Sequence, residues 1–337
     1  MAKTDKPQTH RNLFENIKTL VYEARNAVVR NVNTVMVMTY FEIGRMIVED
    51  EQHGKVRAGY AKETLKKLSL DLAREFGKGF SVDNLQNMRR FYLTYQKYET
   101  ASRISQGTFP LSWSHYLILM RVENEDERKF YEIEATNQNW SVRELERHFN
   151  SSLYERLSLS RDKRKVRELS KKGQIIARPQ DAIKEPYVLE FLGLKEESVY
   201  TESDLETAII NKIEHFLLEL GKGFLFSGRQ VRFSFNEEHF YVDLVFYNRL
   251  LKCFVLIDLK IGKLKHQDIG QMQMYVNYYD RYVKAEDENR TIGIILCKDK
   301  KKALVEITLP ENNEQIFARK YQLYLPSKEE LKRQLEE

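Results

Sequence analysis

The sequence predicts an α+β protein: an all-α N-terminal domain with helix-turn-helix-like units, followed by a C-terminal α/β domain on a mixed central sheet. Three observations carry this. Apolar residues recur at helical spacing from Leu13 to Phe149, the mark of amphipathic helices. Continuous apolar runs rich in Val, Ile, Phe and Tyr begin only at Phe224, as buried strands do. Between them Arg161 to Lys172 is a charged run, followed by Gly173 and a proline-containing stretch to Pro186, a composition typical of a boundary. The expected division is a helical domain over 12–160, a basic linker over 161–185 and an α/β domain over 186–337, comfortable for a 337-residue chain.

A hydrophobic content of 42% beside 31% charged residues is that of a soluble globular protein, and no apolar run approaches the ~18 residues of a membrane span. Met1 to Arg11 lacks the apolar stretch of a signal peptide, so a cytoplasmic location is expected. Cys253 and Cys297 both fall in apolar, strand-like runs and read as small core residues. Through Glu168 there are 29 Lys and Arg against 23 Asp and Glu; the remainder has 26 against 27. The basic excess lies in the first part, which suits contact with a polyanion.

Taken in order, Leu13, Ile17, Leu20, Val21, Ala24 and Val28, then Val35, Met38, Phe41, Ile43 and Ile47, predict two long helices over Leu13 to Asp50. Tyr60 to Phe76 is amphipathic and stopped by Gly77-Lys78-Gly79, after which Ser81 can cap a helix to about Tyr98. That second helix offers Asn84, Gln86, Asn87, Arg89, Arg90 and Lys97, side chains of the kinds that meet phosphates and base edges. Asp126 to Thr136 and Ser141 to Phe149 form a similar pair, with Arg143, Arg147 and His148 on the later helix. Either could be a recognition helix, although plain helical hairpins with solvated faces carry the same pattern. Ser203 to Leu220 reads as one helix, with Glu219 on its polar side and Glu214 among apolar neighbours. Phe224 to Phe235 reads as a strand, Gln267 to Tyr282 as a helix, and Thr291 to Cys297 as another strand. A last strand is expected within Tyr321 to Leu325, and Ser327 with Glu330 makes a capping box; Ala303 to Leu309 fits strand or helix.

The centre of the chain is Phe240 to Lys260, FYVDLVFYNRLLKCFVLIDLK, read as a β-hairpin buried on both faces. Into it the sequence places Asp243, Asp258 and Lys260. Side chains two apart on a strand share a face, so Asp258 and Lys260 point together, and a turn near Arg249 brings Asp243 alongside. Buried carboxylates must be neutralised, paired or bound to metal. Two or three of them in a cleft suit Mg²⁺ or Mn²⁺, with Glu214 the chosen helix acid, and Lys260 would orient or help deprotonate an attacking water. Gln271 and Tyr275, four apart on the following helix, can face the acids together. This is the chemistry of phosphodiester hydrolysis; a structural ion pair of Lys260 with an aspartate is the bland alternative.

The order helix acid, strand, strand with acid, D-x-K, then Q-x-x-x-Y resembles the PD-(D/E)XK nuclease superfamily. FLLELGKGF, GRQVRF, FYVDLVFYNRLLKCFVLIDLKIGKLK and GQMQMY resemble the nuclease domain of the YhcG family, and GFSVDNLQNMRRFY, LSWSHY and WSVRELERHF resemble its N-terminal domain. The resemblance implies a restriction-endonuclease-like fold and a Mg²⁺- or Mn²⁺-dependent endonuclease. Asp243 would be the first acid, Asp258 the second and Lys260 the lysine, with Gln271 and Tyr275 on the Q-x-x-x-Y helix. Glu214, Asp243 and Asp258 would hold the metal. Val242 stands where the motif has proline, and Asp258 where glutamate is common. DNA is the expected partner, held by Arg89, Arg90, Arg143, Arg147, Lys263 and Lys265, with RNA the lesser expectation and no membrane. A homodimer is compatible with cutting both strands. A different class of protein, one that binds a DNA structure or assembles on it without cutting, would keep the same fold. No Walker, Rossmann, H-E-x-x-H or paired C-x-x-C motif is present.

Overall fold

A computed structural model describes residues 7–53, 58–96, 109–159, 163–194, 199–235 and 237–336; Lys97 and Arg161 lie outside these. The chain divides into two compact units between Glu146 and Arg147. The first unit holds α1 (Pro7–His53), α2 (Ala58–Phe76), α3 (Val82–Tyr95), α4 (Trp113–Leu119) and α5 (Glu125–Gln138); α6 (Val142–Asn150) begins in it. The two helices expected over Leu13 to Asp50 are one. No proline interrupts that segment, and its single glycine, Gly44, sits where α1 meets α3 rather than at a break. A Cβ on Gly44 would lie 2.1 Å from the Met88 carbonyl oxygen, so the two backbones approach as only glycine allows. Around this contact Ile47 packs with Leu85 and Met88. The Phe91 ring is enclosed by Phe41, Phe109, Trp113 and Tyr116, with centroids 5.0–5.9 Å away. Both tryptophans, Trp113 and Trp140, belong to this unit. Gly44→Ala is therefore expected to lower its stability by about 1–3 kcal/mol, the usual cost of overpacking. Urea denaturation followed by tryptophan fluorescence would show the loss as a lower midpoint.

The second unit contains α7 (Leu153–Leu159), α8 (Lys163–Lys172), α9 (Pro179–Ala182), β1 (Tyr187–Val188), α10 (Glu202–Asn211), α11 (Ile213–Leu220), β2 (Phe224–Phe235), β3 (Glu238–Asn248), β4 (Cys253–Lys263), α12 (His266–Tyr282), β5 (Ile292–Asp299), α13 (Lys302–Thr308), β6 (Ile316–Gln322) and α14 (Lys328–Glu336). Its sheet runs β1-β6-β5-β4-β3-β2. The β2–β3–β4 meander is antiparallel and β4, β5, β6 and β1 are parallel, so the sheet is mixed. Alternate residues of β4 serve two cores. Val255, Ile257 and Leu259 face Leu205, Ile209 and Phe216 of α10 and α11. Leu256 faces Ile269, Met272, Tyr275 and Val276 of α12. The undecided stretch at Ala303 is helix α13, and the last strand lies upstream of its expected place, at Ile316–Gln322. Ser327 and Glu330 do close a capping box. Cys253 and Cys297 are free and buried, and burial pushes their thiols up to about 12 and about 11. Among the described residues no helix is long and apolar enough to cross a membrane.

The expected single helix over Ser203 to Leu220 is two. Lys212, at φ −127° and ψ 36°, interrupts it and resets which residues face the sheet. Glu214 consequently points to solvent, whereas Glu219, expected on the polar side, is completely buried. Arg156 of α7, also 0% exposed, forms an ion pair with Glu219 Oε1 and donates to Oε2 at 3.3 Å; the Val188 N–H donates to Oε1 at 3.0 Å. Lys184 donates to the Glu219 carbonyl. Burial penalises the Glu219 carboxylate, but Arg156, Lys184 and Arg147 outweigh it and hold the group down at about 2. Arg147, expected to reach nucleic acid, is drawn into this cluster. Its side chain is 13% exposed, lies 3.5 Å from Glu219 and Glu190, and covers the Phe191 ring at 5.1 Å. The buried Glu219 charge is what pulls it inward.

Candidate active site

The site forms where β3 and β4 stop pairing. Their ladder runs from Asn248 opposite Cys253 to Leu244 opposite Ile257. Beyond that pair the Leu259 N–H donates to Asp243 Oδ2 at 2.8 Å, a side chain standing in for a strand carbonyl. Asp243 is thereby held half-buried beside Asp258, within hydrogen-bonding reach of it. Asp258 is 2% exposed. Lys260, two residues on and on the same face, places Nζ 2.8 Å from Asp258 Oδ2 and 3.6 Å from Glu202 Oε2. The ion pair is not aligned as a hydrogen bond, and Asp258 Oδ2 has no other partner.

These neighbours set the protonation. Burial, then the adjacent Asp243 charge, push the Asp258 carboxyl up to about 7 although Lys260 opposes them. Burial pulls Lys260 down, but Asp258, Glu202 and Asp243 outweigh it and its proton is held more tightly than usual. In the metal-free chain Lys260 is therefore held as a cation. From α12, Gln271 donates to the Tyr275 hydroxyl, and Tyr275 is buried close enough to feel the charges of Asp258, Asp243 and Lys260. Burial raises its hydroxyl further above neutral pH.

The structure therefore brings together Asp243, Asp258, Lys260, Gln271 and Tyr275, but not Glu214. The helical acid at the site is Glu206 of α10, whose side chain is buried; Oε1 accepts from Arg229 Nε at 2.8 Å and Oε2 from the Gln230 amide. The same amide donates to Asp243 Oδ1 at 3.0 Å. Arg229 and Gln230 thus tie α10 to β3. One sequence signal could have found Glu206. Thr201 and Asp204 close a capping box that fixes the start of α10, and Glu202 and Glu206 then fall four apart on one face.

Elsewhere, Arg89 is half-exposed and paired with Glu51 at 2.7 Å; Arg90 donates to the Met120 carbonyl at 2.7 Å. Arg143 is exposed. Lys263 and Lys265 are exposed at the end of β4 and the start of α12.

The donor set is hard carboxylate oxygen with one buried oxygen lacking an aligned partner, which fits Mg²⁺ or Mn²⁺. Among the described residues no three Asp, Glu, His or Cys side chains gather as a complete metal cage. Mg²⁺ ordinarily takes one or two protein carboxylates and keeps its waters, so Asp243 and Asp258 suffice.

The chain is 40% identical over 348 aligned positions to the Escherichia coli (strain K12) protein named "Putative nuclease YhcG", covering 96% of this chain and 92% of that one. The chain belongs to the YhcG family. Residues 180–336 match the YhcG PDDEXK nuclease domain, and residues 16–156 match the DUF1016 N-terminal domain. PD-(D/E)XK nucleases generally use divalent metals. Two solved structures also align with this YhcG-family chain. One is a repair endonuclease from Pyrococcus abyssi, at 20% identity and TM-score 0.25 over 38% of this chain and 50% of that one. The other is titled as an EndoMS complex with double-stranded DNA, at 18% and 0.27 over 39% and 48%. Both alignments span about half the length of the solved chains.

Proposed function

We propose that this YhcG-family chain is a metal-dependent deoxyribonuclease, in which the helical unit binds DNA and the sheet unit hydrolyses its phosphodiester bonds. The observation that carries the reading is the buried Asp258 with half-buried Asp243 beside it and a charged lysine against it. Two carboxylates forced together in an apolar sheet are costly unless a cation joins them. Asp243 and Asp258 would hold Mg²⁺ or Mn²⁺, which would activate water and polarise the scissile phosphate. Lys260 donates toward the phosphoryl oxygens and offsets charge that grows in the transition state. Tyr275, oriented by Gln271, offers its hydroxyl to the same charge.

Lys263 and Lys265 extend this surface. The Leu264 N–H bonds to the Asp299 carbonyl, so the lysines stand beside the end of β5, where Lys301 and Lys302 are also exposed. Lys265 also caps the 17-residue α12, whose N-terminal dipole favours a phosphate. Arg143, exposed, and Arg89 and Arg90, each reaching its present partner from a long side chain, are the contacts proposed for the helical unit. The test is plasmid and single-stranded DNA with Mg²⁺ or Mn²⁺. Cleavage that stops with EDTA and returns with excess metal is expected; binding without cleavage in any metal would favour a DNA-binding protein instead.

A further inference from the structure

Gln230 has a backbone conformation that its strand does not call for. It lies within β2, between Arg229 and Val231, which pair with Leu244 and Val242 on either side of Asp243, yet its φ is +46°, in the left-handed region that residues other than Gly, Asn and Asp rarely adopt. Nearby, the β2–β3 register shifts between Phe226 and Gly228. The side chain that results is not solvated. Its amide nitrogen donates to Glu206 Oε2 on the helix and to Asp243 Oδ1 on the strand. An amide has two N–H donors, and both are used on carboxylates.

The lone pairs identify what this bridge leaves available. Asp243 Oδ2 accepts the Leu259 N–H and Oδ1 accepts Gln230, one bond to each oxygen. Each carboxylate oxygen can accept twice, so both retain capacity beyond these two bonds. Glu206 is equally fixed, by Arg229 on one oxygen and Gln230 on the other. Outer partners of this kind orient metal-binding acids, and their loss typically weakens metal binding about 10- to 100-fold. Strained backbone that survives only because its surroundings enforce it is often found at such sites.

We propose that Gln230 is a positioning residue for metal binding: its left-handed backbone aims one amide at both Glu206 and Asp243 and fixes the strand acid in the orientation that receives the ion. The inference rests on the metal-dependent reading of the Asp243–Asp258 pair. Gln230 makes no contact with substrate in this role; it acts through Asp243.

The test separates positioning from folding. Gln230→Gly removes the amide and suits the left-handed backbone, so its thermal midpoint should stay level with the parent or rise. Mn²⁺ affinity, measured by calorimetry on the full chain without DNA, should fall about 10- to 100-fold. Gln230→Asn tolerates the same backbone but is one methylene short, reaches one acid at a time, and should fall between the two. Equal Mn²⁺ affinity in parent and Gln230→Gly would overturn the inference while leaving the metal site standing. Parallel loss of midpoint and affinity would mean a structural role and would also overturn it. A parent chain that takes up no Mn²⁺ would overturn the metal reading itself, and this proposal with it.

Discussion

Lys260→Ala is expected to cripple DNA cleavage while leaving DNA binding intact. The expected fall in turnover is about 100- to 1,000-fold, the range for removing one preorganised donor from a charged transition state. Nζ sits 2.8 Å from Asp258 Oδ2, and that proximity gives the substitution a second signature. Lys260 is the charge that restrains Asp258, whose carboxyl already stands at about 7 through burial and Asp243. Without it Asp258 holds its proton to higher pH, and proton and metal compete for the same oxygen. The parent chain should thus take up Mn²⁺ more tightly as pH rises toward 7, and the variant should need more alkaline solution for the same affinity. The sign follows from the direction of the shift. A folded value above that of the unfolded chain means the metal-free protein holds a proton the unfolded chain has released, so its stability falls as pH rises between roughly 4 and 7. Turnover measured beside a DNA gel-shift decides the first claim; wild-type turnover in Lys260→Ala would remove the lysine from the mechanism.

The second large effect lies away from the chemistry. Glu219→Ala strands Arg156, a fully buried guanidinium, and should destabilise the second unit by about 3–5 kcal/mol. Replacing both, as Arg156→Met with Glu219→Leu, should recover only part of the loss, because Arg156 is gone but Lys184 and Arg147 still lose the carboxylate charge they face. The pH dependence runs opposite to that of Asp258. Glu219 is held at about 2 against an ordinary value of 4.5, so its contribution is complete above the unfolded value and disappears as pH falls from about 4.5 to 2. That contribution is worth about 3 kcal/mol by linkage. Urea midpoints at pH 7 and pH 3 would measure it, and a parent midpoint equally high at both would contradict the assignment.

A helical part followed by a mixed sheet was legible because apolar periodicity changes character along the chain, and the strands from Phe224 to Cys297 are too apolar to read as anything else, but the two units divide between Glu146 and Arg147, ahead of the charged run read as the boundary. The grouping of Asp243, Asp258 and Lys260 was legible for a geometric reason: two-residue alternation on a strand and one short turn leave little freedom. Gln271 and Tyr275 followed from helical spacing. The helix acid was not legible, because Lys212 breaks the phase between Glu206 and Glu214, and Lys212 carries no glycine or proline to announce it. Nor was Arg147 legible as an inward residue. Its fate depends on a carboxylate 72 positions later, a separation that local pattern does not span. The unbroken α1 was read as two helices because its apolar positions fall into two groups, Leu13 to Val28 and Val35 to Ile47, although no glycine or proline separates them.

The two buried cysteines have a practical consequence. They are the whole sulfhydryl complement of the chain, and both are shielded and reluctant to ionise. A cysteine introduced on the surface, at Arg143 or Lys265 for instance, would therefore be the single group that a maleimide dye attacks quickly. Fluorophore pairs could then report which stretch of the molecule meets an oligonucleotide, with no background from the native sulfurs.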